Sequence, residues 1–361
     1  MAENKKVMIG MSGGVDSSVA AFLLQKESLE VIGATMKLYN NEDIDFVSEK
    51  TCCSLDDVLD AKSVCARLGI RHYTLNMTDD FKKEVIERFI SAYQNGFTPN
   101  PCIDCNRYMK FSKMLHKAQE LNIDYVATGH YARIEKQGDR YILKKAVDLS
   151  KDQSYVLYSL TQEQLKVTKF PLGNYTKQHV REIAEENGFV NARKHESQDI
   201  CFVPDGDYSK FIEYYTGKTY PCGDFVDMNG KRLGEHKGII RYTIGQRRGL
   251  GLALPASMYV VEKDVDNNKV ILGFNDDLFK KEVNVKNISF TACDGLDKPE
   301  RLCAKIRYNQ KEQPATVTQT DENHFTIVFD EPQRAITKGQ AAVLYDGDTV
   351  VGGGTIELSL I

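Results

Sequence analysis

The chain has 361 residues, of which 42% are hydrophobic and 27% are charged. This length exceeds that of a usual single domain, so we expect two or three domains with apolar cores of their own. The formal net charge of −4 excludes a protein that is basic throughout, although a local basic patch would still bind nucleic acid phosphates.

The first ten residues contain no apolar signal segment, and no apolar run is long enough to cross a membrane. We therefore expect a cytoplasmic protein with no membrane partner. Nine cysteines in a reducing compartment do not predict a disulfide framework. A functional cysteine is accordingly expected to be catalytic, metal-bound or transiently paired.

Short apolar segments alternate with amphipathic ones over the first 130 residues. The predicted strands are KVMIGM, EVIGATMKLY, RHYTLNM and DYVATGH. The predicted helices between them are DSSVAAFLLQKE, SLDDVLDAKSVCARLG, DDFKKEVIERFISAYQNG and, after a loop that holds two cysteines, YMKFSKMLHKAQELN. This alternation predicts an α/β domain with a doubly wound parallel sheet.

The pattern changes from helical to β at about Tyr220. Two helical segments, TKQHVREIAEENG and DYSKFIEYYTG, come before this point. After it, Asn229-Gly230 and Asn267-Asn268 predict turns between pairs of strands, and the remaining short strands are spaced as in a barrel. We predict a nucleotide-binding domain at 1–215, a small central β-rich domain at 216–280 and a β-barrel domain at 281–361.

The segment IGMSGGVDSSVA joins the first strand to the first helix. Ser12, Gly13 and Gly14 can present successive backbone N–H groups to an anion at the helix N-terminus. Asp16 could hold a Mg²⁺ ion that bridges a pyrophosphate. The lysine of a Walker A loop is absent. A tight turn that needs glycines only for packing is the alternative, but a serine, two glycines and an aspartate in this context favour a phosphate site.

The segment SGGVDSS resembles the PP-loop of the ATP pyrophosphatases, and the chain as a whole resembles the tRNA-specific 2-thiouridylases. Further matches occur in the expected order in NPCIDCN, ATGHYAR, KDQSYVLY, ESQDICFV, YTIGQRRGLG and IRYNQ. The resemblance implies an adenine nucleotide alpha hydrolase-like catalytic domain. It also implies an enzyme that uses ATP to replace the C2 oxygen of the wobble uridine of certain tRNAs by sulfur, giving 2-thiouridine, AMP and PPi.

The resemblance also implies binding residues. Those expected to contact ATP are Gly10, Met11, Ser12, Gly13, Gly14, Val15, Asp16, Ser17, Met36 and Gly129. Those expected to contact tRNA are Asn100, Pro101, Cys102, His130, Lys151, Asp152, Gln153, Arg307, Tyr308 and Gln340. On residue type alone, Met36 would be a core residue, Gly129 a turn and His130 a structural histidine. The basic segment 240–251 is suited to phosphate and sugar contacts through Arg241, Arg247 and Arg248 beside Tyr242.

Two cysteines match the catalytic cysteines of this family, Cys201 as the persulfide carrier and Cys105 as the nucleophile. The resemblance implies that the uridine C2 oxygen first attacks the α-phosphate of ATP. The Cys201 persulfide then delivers sulfur to C2, directly or as hydrosulfide, with loss of AMP. Finally Cys105 attacks the spent persulfide and forms a transient disulfide with Cys201. The attacking species is a thiolate, so its pKa and exposure set the rate.

Cys102 departs from many relatives, which carry an aspartate there as a candidate general acid or base. Asp104 lies two residues further on, so proton handling by Asp104 or by Cys102 stays open. Cys102, Cys105 and Cys201 could instead hold a 4Fe–4S cluster with one open iron, whereas a closed zinc site needs more ligands. The cysteine spacing does not decide between a 4Fe–4S cluster and persulfide chemistry, and persulfide chemistry is the favoured hypothesis.

Two other classes of function remain as alternatives. A PP-loop ligase that acts on a small molecule, as argininosuccinate synthetase does, needs no sulfur carrier. A non-catalytic RNA-binding or redox-sensing protein that keeps ATP as an effector would tolerate alanine at Cys105 or Cys201. The favoured function implies tRNA and an upstream persulfide donor, a cysteine desulfurase or relay protein, as partners.

Overall fold

The computed structural model describes residues 5–40, 55–194, 200–203, 205–254 and 256–358. Residues 196–199 of the matching segment ESQDICFV lie outside these ranges. No helix among the described residues is both long enough and apolar enough to traverse a lipid bilayer.

Strands and helices alternate in the first part of the chain, as predicted. In chain order they are β1 (Lys6–Gly10), α1 (Val15–Lys26), β2 (Glu30–Lys37), α2 (Leu55–Leu68), β3 (Arg71–Asn76), α3 (Thr78–Phe81), a π-helical segment (Lys82–Ile86), α4 (Glu87–Gln94), α5 (Pro101–Asp104), a second π-helical segment (Cys105–Lys113), α6 (Met114–Glu120) and β4 (Tyr125–Ala127). There follow β5 (Ala132–Gln137), β6 (Arg140–Lys145), a 3₁₀ turn (Ser154–Leu157), α7 (Gln162–Lys166), β7 (Thr168–Lys169), α8 (Lys177–Glu186) and α9 (Tyr208–Thr216).

The rest of the described chain consists mainly of strands. They are β8 (Gly223–Asp227), β9 (Arg232–His236), β10 (Tyr259–Asp264), β11 (Lys269–Gly273), β12 (Phe279–Phe290), β13 (Glu300–Lys305), β14 (Gln313–Gln319), β15 (His324–Arg334), β16 (Ala341–Asp346) and β17 (Thr349–Leu358), with 3₁₀ turns at Ile239–Arg241 and Asp276–Leu278.

The five strands β3–β2–β1–β4–β7 form a parallel sheet in that order. The central strand β1 is apolar on both faces, and its Val7, Met8 and Ile9 are fully buried. The chain proceeds outward from β1 in both directions, so the sheet has its topological switch point there. In such sheets ligands bind beyond the carboxyl ends of the strands at the switch point. The predicted doubly wound α/β fold is confirmed, and the loop after β1 lies at this position.

The later part of the chain is β-rich, as predicted, and forms two further sheets. A four-stranded sheet has the order β10–β11–β8–β9. The Asn229-Gly230 turn connects β8 to β9, with Gly230 at φ +82° and its N–H donating to the Asp227 carbonyl. The six strands β12–β15–β14–β13–β16–β17 form a closed barrel, because β17 also pairs with β12.

The chain divides into two compact units by its contacts. The first comprises Met1–Ile86, Pro101–Gly206 and Asp348–Val351, and the second comprises Glu87–Asn100, Asp207–Gly347 and Gly352–Ile361. The predicted domain bounds at 215 and 280 stay a prediction.

Two local features differ from the sequence-based expectation. The two cysteines expected in a loop lie in a helix that begins at Pro101, where a fixed φ and a missing N–H suit the first helical position. The antiparallel hairpin of β5 and β6 was also missed. Gly138, at φ +59°, forms its turn, and Ile142 and Leu143 of β6 are buried.

Candidate active site

The loop between β1 and α1 presents an uncapped helix N-terminus. Gly14 precedes α1 in an extended conformation, and no side chain caps the helix. Gly13 adopts φ +74°, and a Cβ there would lie 2.5 Å from the Asp57 carbonyl oxygen, so glycine is required. The first backbone N–H groups of α1 are thus available to an anion, which the helix dipole also favours.

Serine hydroxyls fix the shape of this loop. The Ser12 N–H donates to Ser17 Oγ at 3.2 Å, and Ser17 Oγ donates to the Gly14 carbonyl at 3.0 Å. Ser18 Oγ also donates to the Gly14 carbonyl, at 3.1 Å. Ser17 and Ser18 are buried, so these bonds hold the loop in place without competition from water.

Asp16 lies in the first turn of α1 and forms an ion pair that the sequence did not predict. Lys177 Nζ, from α8, lies 2.8 Å from both carboxylate oxygens, and the Tyr131 hydroxyl donates to Oδ1 at 2.8 Å. The same ammonium lies 5.7 Å from the centre of the Tyr131 ring. Lys177 is 8% exposed, so a nearly buried positive charge stands beside the predicted phosphate loop.

Asp16 fits a Mg²⁺ site only as one ligand among several. Magnesium in nucleotide sites is bound through one or two carboxylates together with phosphate oxygens and water. Because Lys177 holds both carboxylate oxygens of Asp16, the ion would need the nucleotide phosphates as additional ligands. The chemistry of this donor set therefore suits a Mg²⁺ ion that arrives with ATP.

Gly129 packs against the start of α1. A Cβ at Gly129 would lie 2.8 Å from the Ser17 nitrogen and 2.9 Å from the Asp16 carbonyl carbon. The structure thus packs Gly129 directly against the predicted phosphate loop. Met36 is half-buried at the carboxyl end of the neighbouring strand β2, where a ligand-contacting residue is expected.

Asn191 supports the phosphate loop from a distant part of the sequence. Its side-chain Nδ2 donates to the Gly13 carbonyl and to Ser18 Oγ, both at 2.9 Å. Asn191 is 2% exposed, so these bonds are shielded from solvent. Nothing in its neighbourhood in the sequence indicates this role.

The two cysteines of the helix that begins at Pro101 differ in environment. Cys102 is exposed and Cys105 is half-buried, and neither is in a disulfide. Burial raises the pKa of Cys105 above its ordinary value, and the Asp104 carboxylate adds to this effect. The positive charge of Lys110 acts in the opposite direction and lowers that pKa.

Cys201 is anchored through its backbone. The buried Tyr39 hydroxyl donates to the Cys201 carbonyl at 3.0 Å. The next residue, Phe202, packs edge-on against Phe81 with ring centroids 5.8 Å apart, and both rings are buried. The Cys201 thiol is not in a disulfide and is half-buried, so the backbone is fixed while the side chain keeps access to solvent.

The three candidate cluster ligands do not form a metal site in this structure. Within the described ranges, no three His, Cys, Asp or Glu side chains are grouped so that they could hold a metal ion. Cys102, Cys105 and Cys201 therefore do not fit a 4Fe–4S cluster in this arrangement, and we derive no step through one.

Several residues predicted to contact tRNA form bonds within the protein. His130 is 7% exposed, and its Nδ1 lies 2.6 Å from Thr128 Oγ1. Asp152 accepts from the Ala146 N–H at 2.9 Å and from Ser154 Oγ at 2.7 Å. The Gln153 N–H donates to the Tyr131 carbonyl, and the Tyr131 N–H donates to Gln153 Oε1. Lys151 is half-buried.

Of the predicted tRNA contacts in the second unit, Arg307 and Gln340 donate hydrogen bonds within the protein, and Tyr308 is partly exposed. Arg307 donates to the Ala335 carbonyl at 2.8 Å and to Thr337 Oγ1 at 2.7 Å, which fixes its guanidinium. Tyr308 is 36% exposed. Gln340 donates to the Thr98 carbonyl at 2.6 Å, and so fixes the backbone two residues before Asn100.

The arginines of the basic segment are not equivalent. Arg241 is bound by both carboxylate oxygens of Glu213 at 2.7 Å, so its charge is already neutralised. Tyr242 beside it is buried. Arg247 and Arg248 are exposed. Only these last two keep the exposure that a phosphate contact from this segment needs.

Comparison with known proteins agrees with this architecture. The family model described as "tRNA methyl transferase HUP domain" matches residues 5–205, more than half of the chain. The "tRNA methyl transferase PRC-barrel domain" model matches residues 209–274, and the "Aminomethyltransferase beta-barrel domain" model matches residues 280–356.

Three bacterial relatives named tRNA-specific 2-thiouridylase MnmA are similar over their full length. That of Clostridioides difficile (strain 630) is 53% identical over 362 residues, which cover 100% of both chains. That of Acetivibrio thermocellus is 52% identical and covers 98% of this chain and 99% of the relative. That of Clostridium acetobutylicum is 50% identical and covers 98% and 100%. The predicted family is confirmed. This chain belongs to the tRNA-specific 2-thiouridylase family.

Proposed function

We propose that this chain is an ATP-dependent tRNA uridine 2-sulfurtransferase that converts the wobble uridine of its tRNA substrates to 2-thiouridine. The observation that carries the proposal is the 53% identity over 100% of both chains to a relative named for this activity. Local geometry supports it, because the uncapped start of α1 beside Lys177 suits ATP phosphates. Cys105 and Cys201 are reduced cysteines of the same compact unit.

The first step activates the base. The uridine C2 oxygen forms a bond to the α-phosphorus of ATP, and the bond to pyrophosphate breaks. The backbone N–H groups of α1 and the Lys177 ammonium stabilise the negative charge that develops on the leaving pyrophosphate. Mg²⁺, bound together with ATP beside Asp16, supplies further positive charge to the phosphates. The remaining predicted ATP contacts, Met36 and Gly129 among them, position the nucleotide.

The second stage transfers sulfur. The terminal sulfur of a persulfide on Cys201 bonds to C2, and AMP leaves. The Cys105 thiolate then attacks the Cys201 Sγ, which forms a disulfide between the two cysteines and releases the sulfur on C2 as the thiocarbonyl. A thiol reductant reopens the disulfide, and an upstream persulfide donor reloads Cys201. Asp104 and Cys102 are the two candidates for proton handling.

The tRNA occupies the predicted contacts on both units in this proposal. Arg247 and Arg248 contribute charge from the central β-rich domain at 216–280, and Tyr308 contributes from the barrel domain at 281–361. Arg307 and Gln340 act by fixing backbone that faces the RNA. Because the reaction consumes tRNA, ATP and a thiol reductant, we place it in the cytoplasm.

A thiolation assay tests the proposal. The purified chain is incubated with a tRNA transcript that has a wobble uridine, with Mg–ATP and with a cysteine desulfurase plus cysteine as persulfide source. We expect 2-thiouridine by mass spectrometry of the digested tRNA. Cys105→Ala and Cys201→Ala should abolish it while ATP binding is retained, and Cys222→Ala, a change at an exposed free cysteine, should leave it unchanged. Full thiolation by Cys201→Ala would refute the persulfide route.

Anaerobic purification separates this route from the cluster alternative. Iron and sulfide are measured on the same sample that is assayed. Protein without iron that completes many turnovers supports the persulfide route, whereas activity that rises in proportion to bound iron would contradict it.

A further inference from the structure

The helix that carries Cys105 is wound as a π-helix from Cys105 to Lys113. In a π-helix the backbone hydrogen bonds join residues five apart, so residues i and i+5 are neighbours on one face. Cys105 and Lys110 are five apart. In an α-helix, at 3.6 residues per turn, the same spacing would place the two side chains on different faces. The local winding therefore places Lys110 on the same face of the helix as the candidate nucleophile.

A second contact fixes the Lys110 side chain. Its Nζ lies 3.4 Å from Nε2 of His130, and Nδ1 of His130 lies 2.6 Å from Thr128 Oγ1. The His130 ring packs against the Phe111 and Phe170 rings, with centroids 6.1 Å and 5.9 Å away. A lysine side chain has many rotamers, so a fixed partner is needed to keep its charge in one place.

The contacts of the His130 imidazole fit its neutral form. Burial lowers the pKa of His130 well below its ordinary value, and the charge of Lys110 lowers it further. A neutral ring accepts a hydrogen bond at one nitrogen and donates at the other. The contacts assign Nε2 as the acceptor from Lys110 and Nδ1–H as the donor to Thr128 Oγ1. His130 can thus hold the ammonium without competing for its charge.

The charges around the Cys105 thiol give Lys110 a specific task. Burial and the Asp104 carboxylate both raise the pKa of Cys105, and Lys110 is the group that lowers it. Removal of Lys110 would therefore raise the pKa of the Cys105 thiol further. A protonated thiol does not attack a disulfide or persulfide sulfur.

We infer that Lys110 is a positioning residue that stabilises the thiolate of Cys105 and that neutral His130 orients the Lys110 ammonium. This inference rests on the proposed function for the role of Cys105 in turnover. In the step it supports, the Cys105 proton passes to solvent, and the sulfur anion bonds to Cys201 Sγ. The electron pair of the broken bond leaves on the transferred sulfur.

Alkylation of Cys105 in the free enzyme tests the inference without tRNA. Wild type, Lys110→Met and Lys110→Arg are treated with iodoacetamide between pH 6.5 and 10, and Cys105 modification is followed by peptide mass spectrometry. Lys110→Met should react about tenfold more slowly at pH 8, because a smaller fraction of the Cys105 thiol is ionised. Lys110→Arg keeps the charge and should react at a rate close to wild type. The matched control is Lys113→Met, which removes a 45% exposed lysine from the same helix.

The outcomes separate this inference from the proposed function. Superimposable pH–rate profiles for wild type and Lys110→Met would overturn the inference about Lys110. A shifted profile in Lys110→Met, together with no thiolation of tRNA by the wild type, would support the inference and refute the function. ATP binding of each variant, measured by calorimetry, reports whether the fold is kept, and Lys110→Arg decides the question if Lys110→Met does not fold.

Discussion

Gly129→Ala tests whether the phosphate loop and the segment after β4 form one tightly packed site. The added Cβ would lie 2.8 Å from the Ser17 nitrogen and 3.1 Å from the Asp16 carbonyl oxygen. These are backbone atoms of the first turn of α1, which cannot rotate away as a side chain would. The turn must therefore move by about 0.6 Å to reach ordinary contact at 3.4 Å.

The size of the effect follows from this displacement. Overpacking of this kind costs roughly 1–3 kcal/mol of folding free energy. A shift of the same size lengthens an N–H···O bond from about 2.9 Å to about 3.5 Å, which removes most of its strength. A hydrogen bond to a charged group contributes roughly 1.5–3 kcal/mol. Loss of one such bond to the phosphates should weaken ATP binding by roughly tenfold to a hundredfold.

Isothermal titration calorimetry with ATP and urea unfolding measure the two effects separately. The matched control is Gly138→Ala at the hairpin turn, where an added Cβ meets nothing within 4 Å but φ is +59°. It should cost about 1–2 kcal/mol of stability for the left-handed backbone and leave ATP binding unchanged. An ATP dissociation constant for Gly129→Ala within twofold of wild type would refute the assignment of Gly129 to the nucleotide site.

Three further substitutions have defined outcomes. Asn191→Ala removes two buried hydrogen bonds from the phosphate loop and should lower the free energy of unfolding by roughly 1–3 kcal/mol, so an unchanged urea midpoint would contradict its supporting role. Lys177→Met removes the cation from the Asp16 carboxylate, which keeps only the hydrogen bond from Tyr131 among its described partners, and should cost roughly 1–3 kcal/mol. The cost is less than for a fully buried pair because Asp16 is 31% exposed. Lys177→Arg should recover part of that loss. Equal melting temperatures for the wild type, Lys177→Met and Lys177→Arg would refute the Lys177–Asp16 ion pair. The lowered pKa of His130 means that the folded chain resists a proton which the unfolded chain takes up below about pH 6.5. The contribution of this group to stability is therefore present above that pH and is lost by about 1.4 kcal/mol per pH unit on acidification. His130→Gln should flatten this slope in urea unfolding between pH 7 and 5.5, whereas His116→Gln, at a 72% exposed position, should not.

The local parts of the fold and of the site could be predicted from the sequence. The strand, glycine loop and helix of the phosphate site occupy one continuous segment, and their hydrophobic pattern and turn residues determine them directly. The hairpin turn at Asn229-Gly230 was predicted for the same reason. In each case the relevant interactions lie within a few residues of one another.

The parts that were missed depend on distant contacts or on backbone winding. Lys177 and Asn191 are 161 and 178 residues away from the loop atoms they bind, and neither lies in a segment with a recognisable motif. The π-helical winding after Asp104 has no signature in residue type, so a five-residue spacing of Cys105 and Lys110 carried no meaning until the winding was known.

The four residues Asp348–Val351 belong to the first compact unit although more than 140 residues of the second separate them from the rest of it. Asp348 accepts a hydrogen bond from Arg133 at 2.6 Å, and Thr349 pairs with Lys144. During synthesis, the hairpin of β5 and β6 therefore cannot pair with β17 until residues 348–351 have been made. A chain truncated before Asp348 should therefore expose the unpaired edge of β6 to proteases, and a chain that includes residues 348–351 should not.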